Sequence, residues 1–158
     1  MGKLEVKENK RLVLKNVIIK ELRNIQMDHL DSEIQKFLNY IKVLNIQTYG
    51  PLITKSHGTN IHEDGSITFD YDVMLQAHDY HLHKERFKTN HLHTCDNCIY
   101  VRFEGKADHL NFAHTKLDLY LYENDLETDG SIYNIYIANE PEHTIIDIFR
   151  PVIKNENL

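Results

Sequence analysis

The chain has 158 residues, 41% of them apolar and 27% charged, which suits one domain with a real core and excludes intrinsic disorder. Its formal charge of −6 argues against a nucleic-acid partner, since phosphate binding needs a clustered Lys/Arg face. No run of about 18 apolar residues is present to cross a membrane, and Met1–Lys10 lacks the apolar centre of a signal peptide, so a cytoplasmic protein is expected.

Taken in order, the chain opens on Lys3, Lys7, Lys10, Arg11 and Lys15, interleaved with Glu5 and Glu8, which reads as a solvated lead-in to a strand over Leu12–Leu22. Leu30, Ile34, Phe37, Ile41 and Leu44 then step by fours and threes, the stripe of an amphipathic helix with Asp28 as candidate N-cap. A strand is expected at Gly50–Ser56. Strict alternation follows in ITFDYDVML, with Ile67, Phe69, Tyr71, Val73 and Leu75 on one face and Thr68, Asp70, Asp72 and Met74 on the other. Past a polar stretch come a strand at Ile99–Glu104, a helix striped by Leu110, Ala113, Leu117, Tyr120 and Leu121 with Asp108 as candidate N-cap, and strands at Ser131–Ala138 and Thr144–Val152. Pro51, Pro141 and Pro151 fall at or near strand ends, where a missing donor is tolerated.

The order repeats. DHLDSEIQKFLNYIKVLNIQTYG lies over DHLNFAHTKLDLYLYENDLETDG, with identities at Asp28/Asp108, His29/His109, Leu30/Leu110, Lys36/Lys116, Tyr40/Tyr120, Thr48/Thr128 and Gly50/Gly130. Each copy reads strand–helix–strand–strand, with the glycine expected to close the helix in a left-handed turn. The expectation is a single α+β domain over 1–158. Half one covers about 11–79, a joint about 80–97, and half two about 98–153, with two antiparallel sheets and two helices burying a common core.

The second copy carries a family resemblance. Phe103-Glu104-Gly105 leads into a helix at Ala107–Glu123. A Gly-x-x-Tyr-x-x-Tyr-like strand follows at Gly130–Ile137, and a last strand closes on Asp147-Ile148-Phe149-Arg150-Pro151-Val152. This pattern resembles the closing half of GyrI-like effector-binding domains. The resemblance implies a pseudo-twofold duplicated βαββ fold with a central cleft that takes a ligand. Where drug-sensing members place a pocket acid, this chain has Asn134, and it has no Trp for stacking. An amide cannot offset the desolvation of a lipophilic cation, so neither cationic-drug sensing nor the hydrolase activity of some relatives is expected.

The stretch HLHKERFKTNHLHTCDNC, residues 81–98, holds four histidines and both cysteines. Cys95-x-x-Cys98 with His91 and His93 could bind zinc, and His81-Leu82-His83 is a second same-face pair. The competing reading is a polar joint between halves, and it is preferred because CDNC has no Gly or Pro to make the tight turn of a metal knuckle. A redox motif is disfavoured because Ile99-Tyr100-Val101-Arg102-Phe103 reads as strand, not as an activating helix N-terminus. No nucleophile, zincin or phosphate-loop motif appears, and with 11 histidines and 24 acids His57, His62 or His78 will meet carboxylates by chance.

Candidate ligand-binding residues are Tyr71, Tyr100, Arg102, Glu104, Asn134, Tyr136 and Asp147; Tyr133 shares the tyrosine's mix of apolar body and polar tip. By alternation Asn134 and Tyr136 point one way together, as do Cys98, Tyr100 and Arg102, a lining suited to a neutral or anionic ligand or a protein segment. The expected function is a non-enzymatic binding protein without cofactor, metal or membrane partner. A protein-binding adaptor is placed first, the small acidic chain being similar in general character to EsaE-like type VII secretion chaperones of Gram-positive bacteria. A small-molecule effector-binding domain is the alternative, and a small hydrolase or zinc-binding protein stands third.

Overall fold

The computed structural model describes residues 3–153; residues 1, 2 and 154–158, which the single-domain expectation also covers, lie outside the described residues. The elements are β1 (Lys7–Ile25), α1 (Leu30–Val43), β2 (Thr48–Ile61), β3 (Ile67–Ala77), β4 (Lys88–Gly105), α2 (Leu110–Glu123), β5 (Ile132–Glu140) and β6 (His143–Pro151), with short 3-10 turns at Met27–His29, Tyr80–His83 and Ala107–His109. The strand pairs β1–β3, β2–β3, β4–β6 and β5–β6 are antiparallel, so the described residues form an α+β fold with two helices. The chain forms two compact units, a middle one of residues 14–93 and a terminal one of the described residues up to 13 with those from 94.

In the middle unit β3 lies between β1 and β2. The alternation in ITFDYDVML places Val73 and Leu75 in a core with Phe37 and Ile41 of α1, while Leu30, Ile34 and Leu44 pack at its margin. Met74, on the opposite face, is fully buried too, so β3 is covered on both faces there. In the terminal unit β6 lies between β5 and β4, and Ala113, Leu117 and Leu121 of α2 pack on Ile99, Val101, Phe103, Ile146 and Ile148. Both helical stripes expected from sequence face these cores, buried at Phe37, Ile41, Ala113, Leu117 and Leu121 and half-buried at their other positions.

The strands run longer than alternation suggested. Asn9, Asn16 and Asn24 interrupt β1 at φ near +55° (56°, 56° and 55°), a region asparagine tolerates because its side chain can hydrogen-bond locally. After Asn16 the buried set changes from alternate residues, Leu12 and Leu14, to the contiguous Val17, Ile18 and Ile19. In β2, Gly50 at φ 74° and Pro51 lie within the register shift between Tyr49 and Ile53, where a proline costs no ladder donor. A Cβ at Gly50 would stand 3.1 Å from Gln76 Nε2, a second reason for glycine.

Helix ends depart from expectation. Asp28 and Asp108 do not cap: each lies inside a 3-10 turn, and the N-cap positions are His29 and His109, without a side-chain cap. Nor do Gly50 and Gly130 close the helices. Asn45 (φ 55°) and Asp125 (φ 50°) take the left-handed position instead. The Ile46 N–H donates to the Ile41 carbonyl at 3.2 Å and the Leu126 N–H to the Leu121 carbonyl at 2.9 Å, while Asn45 and Asp125 donate to Lys42 and Tyr122. Both helices therefore end in Schellman motifs, with the apolar pairs Ile41/Ile46 and Leu121/Leu126 inside their cores.

The expected joint is also not a loop throughout. Residues 88–97 belong to β4, continuous with the strand that was expected to begin at Ile99.

Two stability outcomes follow. Leu117→Ala should cost about 2–5 kcal/mol in urea unfolding, because a fully buried side chain leaves a cavity. Asn45→Ala should cost roughly 1–2 kcal/mol while Asn45→Gly stays near neutral, because only the alanine strains the left-handed position.

Candidate functional site

The β4–β6 register sorts the terminal unit's side chains. Val101 pairs with Ile148 and Phe103 with Ile146, all four in the α2-facing core. The alternate pairs, Tyr100 with Phe149 and Arg102 with Asp147, must point the other way. On β5, Asn134 pairs with Ile148 and Tyr136 with Ile146, so both lie on the α2 side. Of the residues expected to bind ligand, Tyr100, Arg102, Glu104 and Asp147 thus share one face, and Asn134 and Tyr136 occupy the opposite one.

Three of the four on the first face make one polar cluster. Arg102 donates from Nε to Asp147 Oδ1 at 2.8 Å and from Nη2 to Oδ2 at 2.9 Å, a bidentate pair. Tyr100 Oη donates to the same Oδ1 at 2.7 Å, and its ring lies 4.9 Å from that of Phe149. Burial alone would raise the Asp147 carboxyl, but hydrogen bonds from Arg102 and Tyr100 outweigh it and hold the group below the usual carboxylate range. Burial first, and then Asp147, push the Tyr100 hydroxyl up to about 12. Hydrogen bonding to Asp147 likewise raises Arg102. Asp147 is shielded, whereas half of the Arg102 side chain is exposed and its Nη1 edge is uncommitted among the described residues.

A recess of about 300 Å³ opens beside this cluster, lined by Lys3, Glu5, Lys7, Tyr100 and Arg102. The basic lead-in that sequence assigned to solvent thus supplies part of its wall. Among the described residues, three cations against one carboxylate make the lining positive on an acidic chain. Chemically it can receive a carboxylate, sulfonate or phosphate on Arg102, with the Tyr100 ring as an apolar side wall.

The remaining candidates lie elsewhere. Glu104 is exposed and 3.6 Å from His143. Tyr136 packs against the α2 core, and Asn134 Oδ1 is buried without a hydrogen-bond partner among the described residues. Tyr133 is buried. Tyr71 belongs to the middle unit, packs at the α1 core and accepts at its carbonyl from Arg23 at 3.0 Å. Sequence reasoning singled out neither the Asp118–Arg150 ion pair nor the Asp72 network. Asp72 holds Arg23 Nη2 at 2.9 Å and His57 Nε2 at 2.7 Å, which completes the polar face of β3.

The His/Cys stretch divides into separate contacts. His91 Nδ1 lies 3.2 Å from Tyr80 Oη, and His83 Nε2 lies 3.3 Å from Asp79. Burial, then Lys55, lowers the His93 pKa. Cys95 and Cys98 approach to 3.1 Å between sulfurs, and burial raises the Cys98 thiol. Among the described residues no three His, Cys, Asp or Glu side chains converge as a metal site would require. Among the described residues no helix is long and apolar enough to cross a membrane.

No protein-family model matches the sequence, and no curated protein is similar to it in sequence. Solved structures do match. The EcmrR C-terminal domain aligns at TM-score 0.66 and 15% identity, covering 97% of this chain and 98% of that one. In the EcmrR–DNA complex the alignment reaches TM-score 0.67 at 15% identity and again covers 97% of this chain, but spans only 58% of the EcmrR chain. SAV2435, solved bound to tetraphenylphosphonium, aligns at TM-score 0.56 and 12% identity over 96% of this chain and 94% of its own. The chain shares the fold of these domains, the fold that the GyrI-like resemblance implied. A structure described as a hydrolase from Listeria innocua aligns at TM-score 0.52 and 11% identity, over 96% of this chain and 92% of that one, so the fold accommodates more than one function. The EsaE-like likeness finds no support among these structures.

The tyrosine offers a direct check. Spectrophotometric titration should show one of the nine tyrosines ionising near pH 12, a step absent from Tyr100→Phe and moved down in Asp147→Asn. A raised folded pKa makes Tyr100's stability contribution complete below the unfolded value of about 10 and lost as pH rises through about 12. The depressed Asp147 contributes above its unfolded value of about 3.9 and loses that contribution as pH falls through its folded value. Asp147→Asn should therefore also flatten the acid limb of the stability curve.

Proposed function

We propose that the chain is a non-enzymatic effector-binding domain of GyrI-like fold that holds a small anionic or neutral molecule against Tyr100 and Arg102. The observation that carries this reading is the Asp147 carboxylate with both oxygens occupied. Arg102 and Tyr100 consume its negative charge, leaving the guanidinium edge as the group presented to a ligand. Asp147 positions Arg102 rather than touching the ligand. The fold likeness to SAV2435 and to the EcmrR C-terminal domain supports ligand binding over the adaptor role placed first from sequence. The sign of the ligand would differ from that of tetraphenylphosphonium: among the described residues lining the recess, Glu5 is the one carboxylate beside Lys3, Lys7 and Arg102.

The matched Schellman ends, with Asn45, Ile41 and Ile46 answering Asp125, Leu121 and Leu126, support reading the halves as two copies of one βαββ unit. No feature of the cluster supplies a nucleophile with its base, which favours binding over turnover.

Tetraphenylborate and tetraphenylphosphonium share a shape and differ in charge, so calorimetric titration with both tests the reading. The borate should bind the more tightly, and Arg102→Gln should weaken it by about tenfold or more, the worth of a charge-assisted contact. Tighter binding of the phosphonium, or indifference to Arg102→Gln, would refute the assignment.

A further inference from the structure

A second recess, of about 420 Å³, lies in the middle unit, and sequence reasoning gave none of its lining residues a binding role. It begins with the lone large aromatic in HLHKERFKTN. After the 3-10 turn at Tyr80–His83, the Phe87 N–H donates to the His83 carbonyl at 3.1 Å and carries the chain inward. Phe87 meets Phe37 edge-on at 5.7 Å and 82°, and Tyr40 at 5.6 Å and 61°. Phe37 and Phe87 are buried and form the floor, while Tyr40 is 44% exposed and offers a ring face. Glu33, Lys36, Phe37 and Tyr40 stand three, four and seven apart, so α1 presents them on one side. Lys20 of β1 and Arg86 of the turn complete the rim.

The charges here are left over. Elsewhere in this unit Arg23 pairs with Glu21 and Asp72, and Lys88 with Glu21. Here Glu33 is already engaged by Lys36 at 3.2 Å, and the Lys20 and Arg86 side chains have no ion-pair partner among the described residues. The second copy does not share the arrangement: where α1 carries Glu33 and Phe37, α2 carries Ala113 and Leu117, both fully buried.

From this we infer that the groove between α1 and the Tyr80–Phe87 turn binds a planar aromatic molecule bearing a carboxylate or phosphate. The ring lies against Tyr40 and Phe87, and the anionic group is received by Arg86 and Lys20. The volume suits one small ligand, and cations beside aromatic surface reward both of its parts. The site is separate from the Arg102 recess and does not depend on the function proposed for it.

The probe is 2-naphthoate, titrated calorimetrically and by amide NMR, with 2-naphthylmethylammonium and cyclohexanecarboxylate as controls for charge and aromaticity. Naphthoate should bind better than both controls and shift the Tyr40 and Phe87 amides. Lys20→Gln with Arg86→Gln should weaken it about tenfold or more, both side chains being exposed and their loss harmless to folding. Arg102→Gln should leave naphthoate binding unchanged. The inference is overturned by absent binding at millimolar probe, by equal binding of the ammonium, or by indifference to the Lys20/Arg86 pair. Loss in Arg102→Gln alone would move the ligand to the first recess, sinking this inference and leaving the proposed function standing.

Discussion

The register of β4 against β6 decides which side chains of the terminal unit can act together. A strand's side chains alternate strictly, so pairing Arg102 with Asp147 rather than with a neighbour sends four candidate residues to one face and two to the other. A slip of one residue would turn Val101 and Phe103 to the polar face and bring Tyr100 and Arg102 under α2. The α2 stripe forbids that slip, because Ala113, Leu117 and Leu121 need apolar partners. The polar cluster is therefore fixed by core packing on the reverse side of its own sheet.

Electrostatics then decides what that face can receive. A carboxylate as shielded as Asp147 is tolerable only when its oxygens are satisfied, and the bidentate guanidinium with the phenol hydroxyl meets that requirement. The consequence is an asymmetry of exposure: the acid is hidden and the base half exposed, so a neutral pair presents positive charge. The Asp72 network with Arg23 and His57 shows the same chemistry closed on itself, with less cation left over, in keeping with a supporting role for the β3 surface.

The stretch 81–98 changes character on inspection of its contacts. His91 is held by Tyr80 and His83 by Asp79, the cysteines approach one another, and its residues from Lys88 continue as β4. What the turn contributes is Phe87, anchored against Phe37 and Tyr40, with Arg86 left at the rim. A single aromatic among charged neighbours was the signal available in sequence, and composition-minded reading gives more weight to histidine and cysteine.

Both helical stripes, the β3 alternation and the GyrI-like fold likeness were legible in sequence because each rests on local periodicity, which burial enforces along the chain. The positions of the helix ends were misplaced because asparagine and aspartate can stand in for glycine at a left-handed residue, and only the Schellman hydrogen bonds reveal that they do. Sequence by itself determined that Tyr100 and Arg102 share a face, and likewise Asn134 and Tyr136, since alternation within one strand is fixed by the pleat. Which of those faces Asp147 joins was settled only by tertiary structure, because register between strands depends on what packs behind them, here α2.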